Sequence, residues 1–371
     1  MKIQLSDHFT YQRLLHFCLP SIVMMIFTSI YGVVDGLFVS NFVGKIPFAA
    51  INLVMPFIMI LGGFGFMIGT GGSALIAKTL GEGKHKLANR YFSMLIIMTV
   101  ILGLFLTTIG IVFARQVSIL LGATDVMLDD CVIYLRTVLL FISPFMLQNV
   151  FQSFLVTAQK PHAGLIVTII AGLTNMSLDA LFIVVFRWGV AGAALATGIS
   201  QCIGGLLPLI LFLGKNDSLL HLVPTRLEWR PFFLSCTNGM SELMGNISSS
   251  IVSMLYNFQL LNYAGENGIA AYGVLMYVQF IFIAVFFGYT IGVGPVIGYH
   301  YGAGNHAELK NLLRKSLKLN IITGISMTIL ANLFAGALSR IFVGYDPELY
   351  AMTKSAFHIF ALSFLVCGIN I

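Results

Sequence analysis

Charged side chains are scarce in this sequence. Asp, Glu, Lys and Arg make up 9% of its 371 residues, where a soluble domain carries about a quarter, so a water-soluble globule is excluded. Cysteine is sparse too: Cys18, Cys131, Cys202, Cys236 and Cys367 stand singly, with no CxxC or CxxxH spacing. That pattern points to neither a zinc site nor a disulfide framework, and the five are expected as small apolar fillers. A phosphate loop is missing, because around Gly83-Lys84 a lysine, Lys78, stands where the first glycine is required and His85 where Ser or Thr is required. Gly63, Gly65 and Gly69 lack the dinucleotide spacing. ATP and other cofactors are therefore not expected, nor is an enzyme.

Apolar residues fill the space, at 58% of the chain with a mean hydropathy of +0.94. Runs long enough to cross a hydrocarbon layer of about 30 Å as helices recur from Leu14 to the end. Ten are predicted, roughly 14–39, 47–77, 91–113, 132–156, 164–186, 191–213, 235–262, 269–298, 317–338 and 355–371. The fold class is thus an all-α polytopic membrane protein. The first run is far too long for a signal-peptide core and should stay as a span. The net charge of +6 suggests nucleic acid only until the basic residues are placed, since they sit in short loops. With alternate loops on one side, Lys45, Arg115, Arg136, Arg187, Arg340 and Lys354 fall opposite the N-terminus, and the other fourteen of twenty lie on its side. The positive-inside rule puts that side in the cytoplasm.

The sequence repeats at one offset of 221 residues. Asn41-Phe-Val-Gly44 and Ala49-Ala50 match Asn262-Tyr-Ala-Gly265 and Ala270-Ala271, and Gly71, Gly81, Gly83 and His85 match Gly292, Gly302, Gly304 and His306. Six spans, an even number, separate matching points, so the repeat is parallel, with its pseudo-axis along the membrane normal. The expected domains are an N-terminal six-helix lobe (1–214), a basic linker (215–231) and a C-terminal lobe (232–371). A complete second unit would reach about residue 434 by this offset, so the chain is expected to stop inside its tenth span with the second bundle incomplete.

Three carboxylates lie deep in spans: Asp35, Asp179 and Glu242. Each costs roughly 2.5–3.5 kcal/mol or more at the hydrocarbon centre, so function is the default reading. Tyr31 precedes Asp35 by four residues and Asn175 precedes Asp179 by four, giving each acid a polar neighbour one helical turn away. A buried carboxylate that takes up and releases a proton would suit a proton-driven exporter. The oxygens of Asp35, Asp179, Asn175 and Thr197 would equally suit Na+. The bland alternative is that these groups only join helices, at about 0.6 kcal/mol apiece. Pro20 removes a backbone hydrogen bond in the first span and is a candidate hinge. Glycines at 62–72 and 288–298 permit close helix packing. Aromatic and amide side chains at Tyr256, Gln259, Tyr277 and Gln279 are candidates to line a cavity for flat cations.

The six-plus-six parallel arrangement, Pro20, Tyr31-x-x-x-Asp35 and Asn175-x-x-x-Asp179 resemble the MATE (multidrug and toxic compound extrusion) family, over the whole chain. The branch looks like the MepA-like or DinF-like bacterial transporters. The resemblance implies a cation site of Tyr31, Asp35, Tyr134, Asn175, Asp179 and Thr197. It also implies a second site at Glu242 and antiport of H+ or Na+ against small organic, often cationic, compounds. Gln152 stands where a shorter amide is expected beside the first site and is added to the candidate cavity. A monomer in contact with membrane lipid is expected, without nucleic acid. Two alternatives stand beside this reading. A lipid-linked precursor flippase of the same superfamily would favour basic residues deep in its spans, and none lies there. A non-transporting truncated remnant is the other.

Overall fold

A computed structural model describes residues 3–214, 217–344 and 346–370, and they form helices with no strand among them. In order these are α1 (Tyr11–Phe42), α2 (Lys45–Gly81), α3 (His85–Leu120), α4 (Asp125–Leu139), α5 (Ile142–Thr157), α6 (Pro161–Asp179), α7 (Gly189–Leu213), α8 (Trp229–Asn238), α9 (Met240–Gly302), α10 (His306–Val343), α11 (Pro347–Phe360) and α12 (Ser363–Asn370). A π-helical turn, Ala180–Val185, extends α6. Helix starts follow local chemistry. The Thr10 hydroxyl accepts from the Arg13 N–H at 3.3 Å, Asn305 accepts from Glu308 N–H at 3.1 Å, and Asp346 caps α11 ahead of Pro347.

Eight helices among the described residues are long and apolar enough to cross a membrane, or nine if one bent pair counts as a span. Ten were expected. The expected span 132–156 is that pair, α4 and α5, bent by 56°. Pro144 in the first turn of α5 has no N–H to offer the Leu140 carbonyl, and its ring crowds that position, so the helix breaks there. The expected span 235–262 is not among the eight. It begins in α8 and runs into α9 through Ser241, Glu242, Asn246, Ser248, Ser249 and Ser250, a polar stretch.

The expected loop at 263–268 is also absent as a break, because α9 is helical throughout its 63 residues. No proline interrupts it between Pro231 and Pro295. Straight, it would measure about 95 Å, yet its two ends meet one helix. Gly239, just before α9, lies against Met67 of α2, and Tyr299, near its end, lies against Gly81 of α2. Those points on α2 are only about 20 Å apart along its axis. Hence α9 doubles back, and the Tyr256 and Tyr272 rings stack at 5.3 Å across the fold. The two expected spans correspond to its two arms.

The 221-residue repeat recurs in the backbone. Both α2 and α9 end in glycine, at Gly81 and Gly302, and both α3 and α10 start at histidine, His85 and His306. Between them Gly83 and Gly304 take the left-handed conformation, with φ of +77° and +68°, which only glycine adopts freely. The halves meet along a glycine seam. A methyl on Gly81 would fall 2.0 Å from the Tyr299 carbonyl, and one on Gly302 would fall 2.0 Å from the Lys78 carbonyl. Lys78 and Tyr299 are themselves repeat partners, so the two contacts are one contact seen twice about a pseudo-two-fold axis. Gly71 against Gly239, and Gly292 against Cys18, repeat the relation farther along.

Candidate functional site

Two helices of the first half bring the aspartates together. On α1, Tyr31 and Asp35 share a face, and on α6, Asn175 and Asp179 do the same. Gly172 lets these helices close: a methyl there would lie 2.5 Å from the Phe27 ring and 2.9 Å from the Tyr31 ring. From α4 comes Tyr134 and from α7 comes Thr197. Asp179 is 0% exposed, Tyr134 1%, Asn175 2% and Asp35 9%. Asp35 lies within interacting reach of Asp179 and Asn175, Tyr134 reaches Thr197, and Tyr31 reaches Gln148. All six residues of the expected site are therefore in one locus.

Their polar atoms are underused. Asp35 Oδ1, both Asp179 carboxylate oxygens, Asn175 Oδ1 and Thr197 Oγ1 are buried with no hydrogen bond of ordinary geometry among the described residues. The ion pairs among the described residues are His8–Glu308, Lys84–Glu82 and Arg90–Glu228, so neither aspartate has a cationic side chain. Unpaired buried acceptors cost about 1–3 kcal/mol each, more when charged. A buried acidic cradle lacking positive charge is relieved by a proton or a hard cation. The π-helical turn begins immediately after Asp179. Such turns shift the register of a helix and are frequent at functional positions.

Sequence reasoning missed the amides that surround this locus. Gln148, Asn149 and Gln201 are buried, as is the expected Gln152. Asn149 donates to the Gly62 carbonyl at 3.1 Å, whereas Gln152 Oε1 and Gln201 Oε1 have no partner. The signal was present as spacing: Gln148 and Gln152 lie four residues apart on α5, and Gln201 lies four beyond Thr197 on α7.

The other candidates scatter. Pro20 is buried in α1, which continues unbroken through it. Glu242 sits in the first turn of α9, half-buried, and interacts with neither aspartate. Tyr256 is 54% exposed, Gln259 is exposed and Gln279 half-buried, all on α9 and apart from Gln152 on α5. The side chain of Tyr277 lies outside the described residues.

The family model described as MatE matches residues 20–181 and 243–371, well over half the chain. The chain belongs to the MatE family. It is accordingly a multi-pass membrane transporter and not an enzyme. Among curated relatives, it is 27% identical over 366 residues to the multidrug export protein MepA of Staphylococcus haemolyticus, covering 97% of this chain and 79% of that protein. It is 28% identical to MepA of Staphylococcus saprophyticus over 82% of this chain and 67% of that protein. In shape this MatE protein is similar to an outward-facing multidrug resistance MATE transporter of the MOP superfamily, with a TM-score of 0.89 at 21% identity over 98% of this chain and 83% of the other. A MATE structure in complex with MaL6 gives a TM-score of 0.89 at 21% identity, over 98% of this chain and 84% of the other. Those likenesses establish the fold.

Proposed function

We propose that this MatE protein is a proton- or sodium-coupled antiporter that exports small organic cations across the cytoplasmic membrane by alternating access. The observation that carries the reading is the Asp35–Asp179 pair, buried among polar side chains without a cationic partner among the described residues. A site of that chemistry is costly when empty of positive charge, so it exchanges one small cation for another. Asn175 and Thr197 complete the oxygen set for Na+, and Tyr31 and Tyr134 close the locus on the α1 and α4 sides. Multidrug export by the MepA relatives supports a broad organic substrate class.

The working units are two lobes, 1–214 and 232–371, joined by the linker at 215–231. Positive charge on the loops of the N-terminal side puts that side, and the glycine seam, in the cytoplasm. With the seam closed, the locus faces outward, loads a cation there and releases it inside when the seam opens. Pro20 lies in α1 within the seam, between Cys18 against Gly292 and Ile22 against Gly288, and serves as the hinge. Gln152, Gln148 and Gln201 would hold substrate beside the acid pair. The protein works as a monomer among lipids.

The test uses everted membrane vesicles with ethidium added to the bath, which faces the cytoplasmic side, energised first by a proton gradient alone (lumen acid) and then by a sodium gradient alone (lumen high in sodium). One gradient is expected to drive ethidium transport. Transport that neither gradient changes would overturn the ion-coupled reading.

A further inference from the structure

Two stretches of chain outside the spans lie along helices of the opposite half, and two of the helix positions that hold them are related by the same 221-residue offset. The segment 3–10 leads into α1 but is fastened to α10. Glu308, in the first turn of α10, takes the position from which a capping-box carboxylate would reach back to its own helix start. Instead it accepts from the His8 ring nitrogen at 2.6 Å, from the Phe9 N–H at 3.0 Å and from the Asn311 amide at 2.8 Å. The Asn311 amide also donates to the Phe9 carbonyl at 3.1 Å, and the Lys315 ammonium donates to the same carbonyl. Leu5 and Phe9 are fully buried. The Phe9 ring packs on Phe17 at 6.0 Å and on His300 at 6.5 Å, both edge-on.

The segment leading into α8 is fastened to α3 in the matching way. The His221 N–H donates to Asn89 Oδ1 at 3.1 Å and the Val223 N–H to Ser93 Oγ at 2.9 Å. Glu228 pairs with Arg90 at 3.1 Å, and its N–H donates to Met94 Sδ at 3.4 Å. Arg90 and Met94 are the repeat partners of Asn311 and Lys315, and Glu228 is the partner of Asp7. In each half, one pair of residues four apart on the third helix grips the chain that enters the other half.

These grips are unequal. Around α3 the charged contact is an open ion pair, 44% exposed on each side, and surface pairs of that kind contribute little. Around α10 one carboxylate, 7% exposed, gathers three hydrogen bonds, two of them from the strap, and two buried apolar side chains flank it. Parting α1 from α10 would strip that carboxylate of its strap donors.

We propose that residues 3–10 form a releasable latch, centred on Glu308, that holds the glycine seam shut, and that the 217–228 strap is its weaker counterpart. The proposal rests on alternating access, since a latch matters only if the seam opens. Cys18 is a built-in reporter, fully buried and packed on Gly292 inside the seam.

The test measures alkylation of Cys18 by N-ethylmaleimide, quantified by peptide mass spectrometry, in the purified full chain in lipid nanodiscs with and without ethidium. Glu308→Ala is expected to speed Cys18 alkylation about tenfold and the milder Asn311→Ala severalfold, in proportion to the charged and neutral hydrogen bonds lost. Arg90→Ala is expected to change it less than either. An unaltered size-exclusion profile and melting temperature exclude simple unfolding, and Asn311→Ala keeps the test alive if Glu308→Ala misfolds. If ethidium alters the wild-type rate while the α10 variants match wild type, the latch is wrong and alternating access stands. If Cys18 stays protected in every variant and condition, both fall.

Discussion

The two halves share a seam but not a charge. Asp35 has Tyr256 as its counterpart 221 residues on, Tyr31 has Val252, and Pro20 has Ser241. Asp35 is 9% exposed, within an oxygen-lined locus, while Tyr256 is 54% exposed and stacked on Tyr272. By contrast the glycines at 71, 81 and 83 keep their partners at 292, 302 and 304, and both turns keep a positive φ. The duplicated features are those where two chains meet so closely that a single methyl would collide, or where a turn needs a positive φ. A pseudo-two-fold contact needs small residues on both sides of the axis, whereas an ion site needs to exist only once. Packing was held in duplicate and chemistry in one copy.

Breaking the single copy has the largest expected effect. Asp35→Asn should abolish gradient-driven ethidium transport in vesicles, with expression and membrane insertion unchanged, because the proposed cation exchange would lose one of its two carboxylates. Asp179→Asn should match it. Retained transport in either variant would mean that the halves do not differ in the way described.

The shared feature should respond more moderately. Gly81→Leu or Gly302→Leu places a side chain where a backbone carbonyl already stands, and overpacking of this sort costs about 1–3 kcal/mol. The closed seam should be disfavoured and the transport rate reduced severalfold, equally for the two because the contact is reciprocal. A large inequality between them would break the pseudo-symmetry. Gly294 has open space around its missing side chain, so Gly294→Ala should transport and melt like wild type. The smallest effects belong to the second half's counterparts: Tyr256→Phe and Glu242→Gln should each change transport by less than about twofold, since neither residue interacts with the aspartate pair.

Much of this was readable before any coordinates. The aspartates stand out because hydrocarbon makes a carboxylate costly, and their four-residue spacing to Tyr31 and Asn175 announces a shared face. What escaped was set by contacts distant in sequence. Nothing local marks the π-helical turn after Asp179. Nor does anything local mark the helical continuity of α9 through residues 263–268, where a break was expected. Glu308 reads as an ordinary first-turn acid until His8 and Phe9, three hundred residues away, are seen against it. The break at Leu140 is a different kind of miss, because Pro144 announces it and the long apolar run hides it. Buried amides on α5 were overlooked for the same reason: a hydropathy window averages Gln148 and Asn149 into their apolar neighbours.

Cation release on substrate binding tests the coupling site most directly. Purified wild-type protein in weakly buffered detergent, mixed with ethidium, should release protons, or sodium if preloaded with it, detected by a pH indicator or a sodium electrode. The Asp35→Asn/Asp179→Asn double variant should bind ethidium without releasing either ion. Equal release from the double variant and the wild type would place the exchanged cation elsewhere and contradict the account.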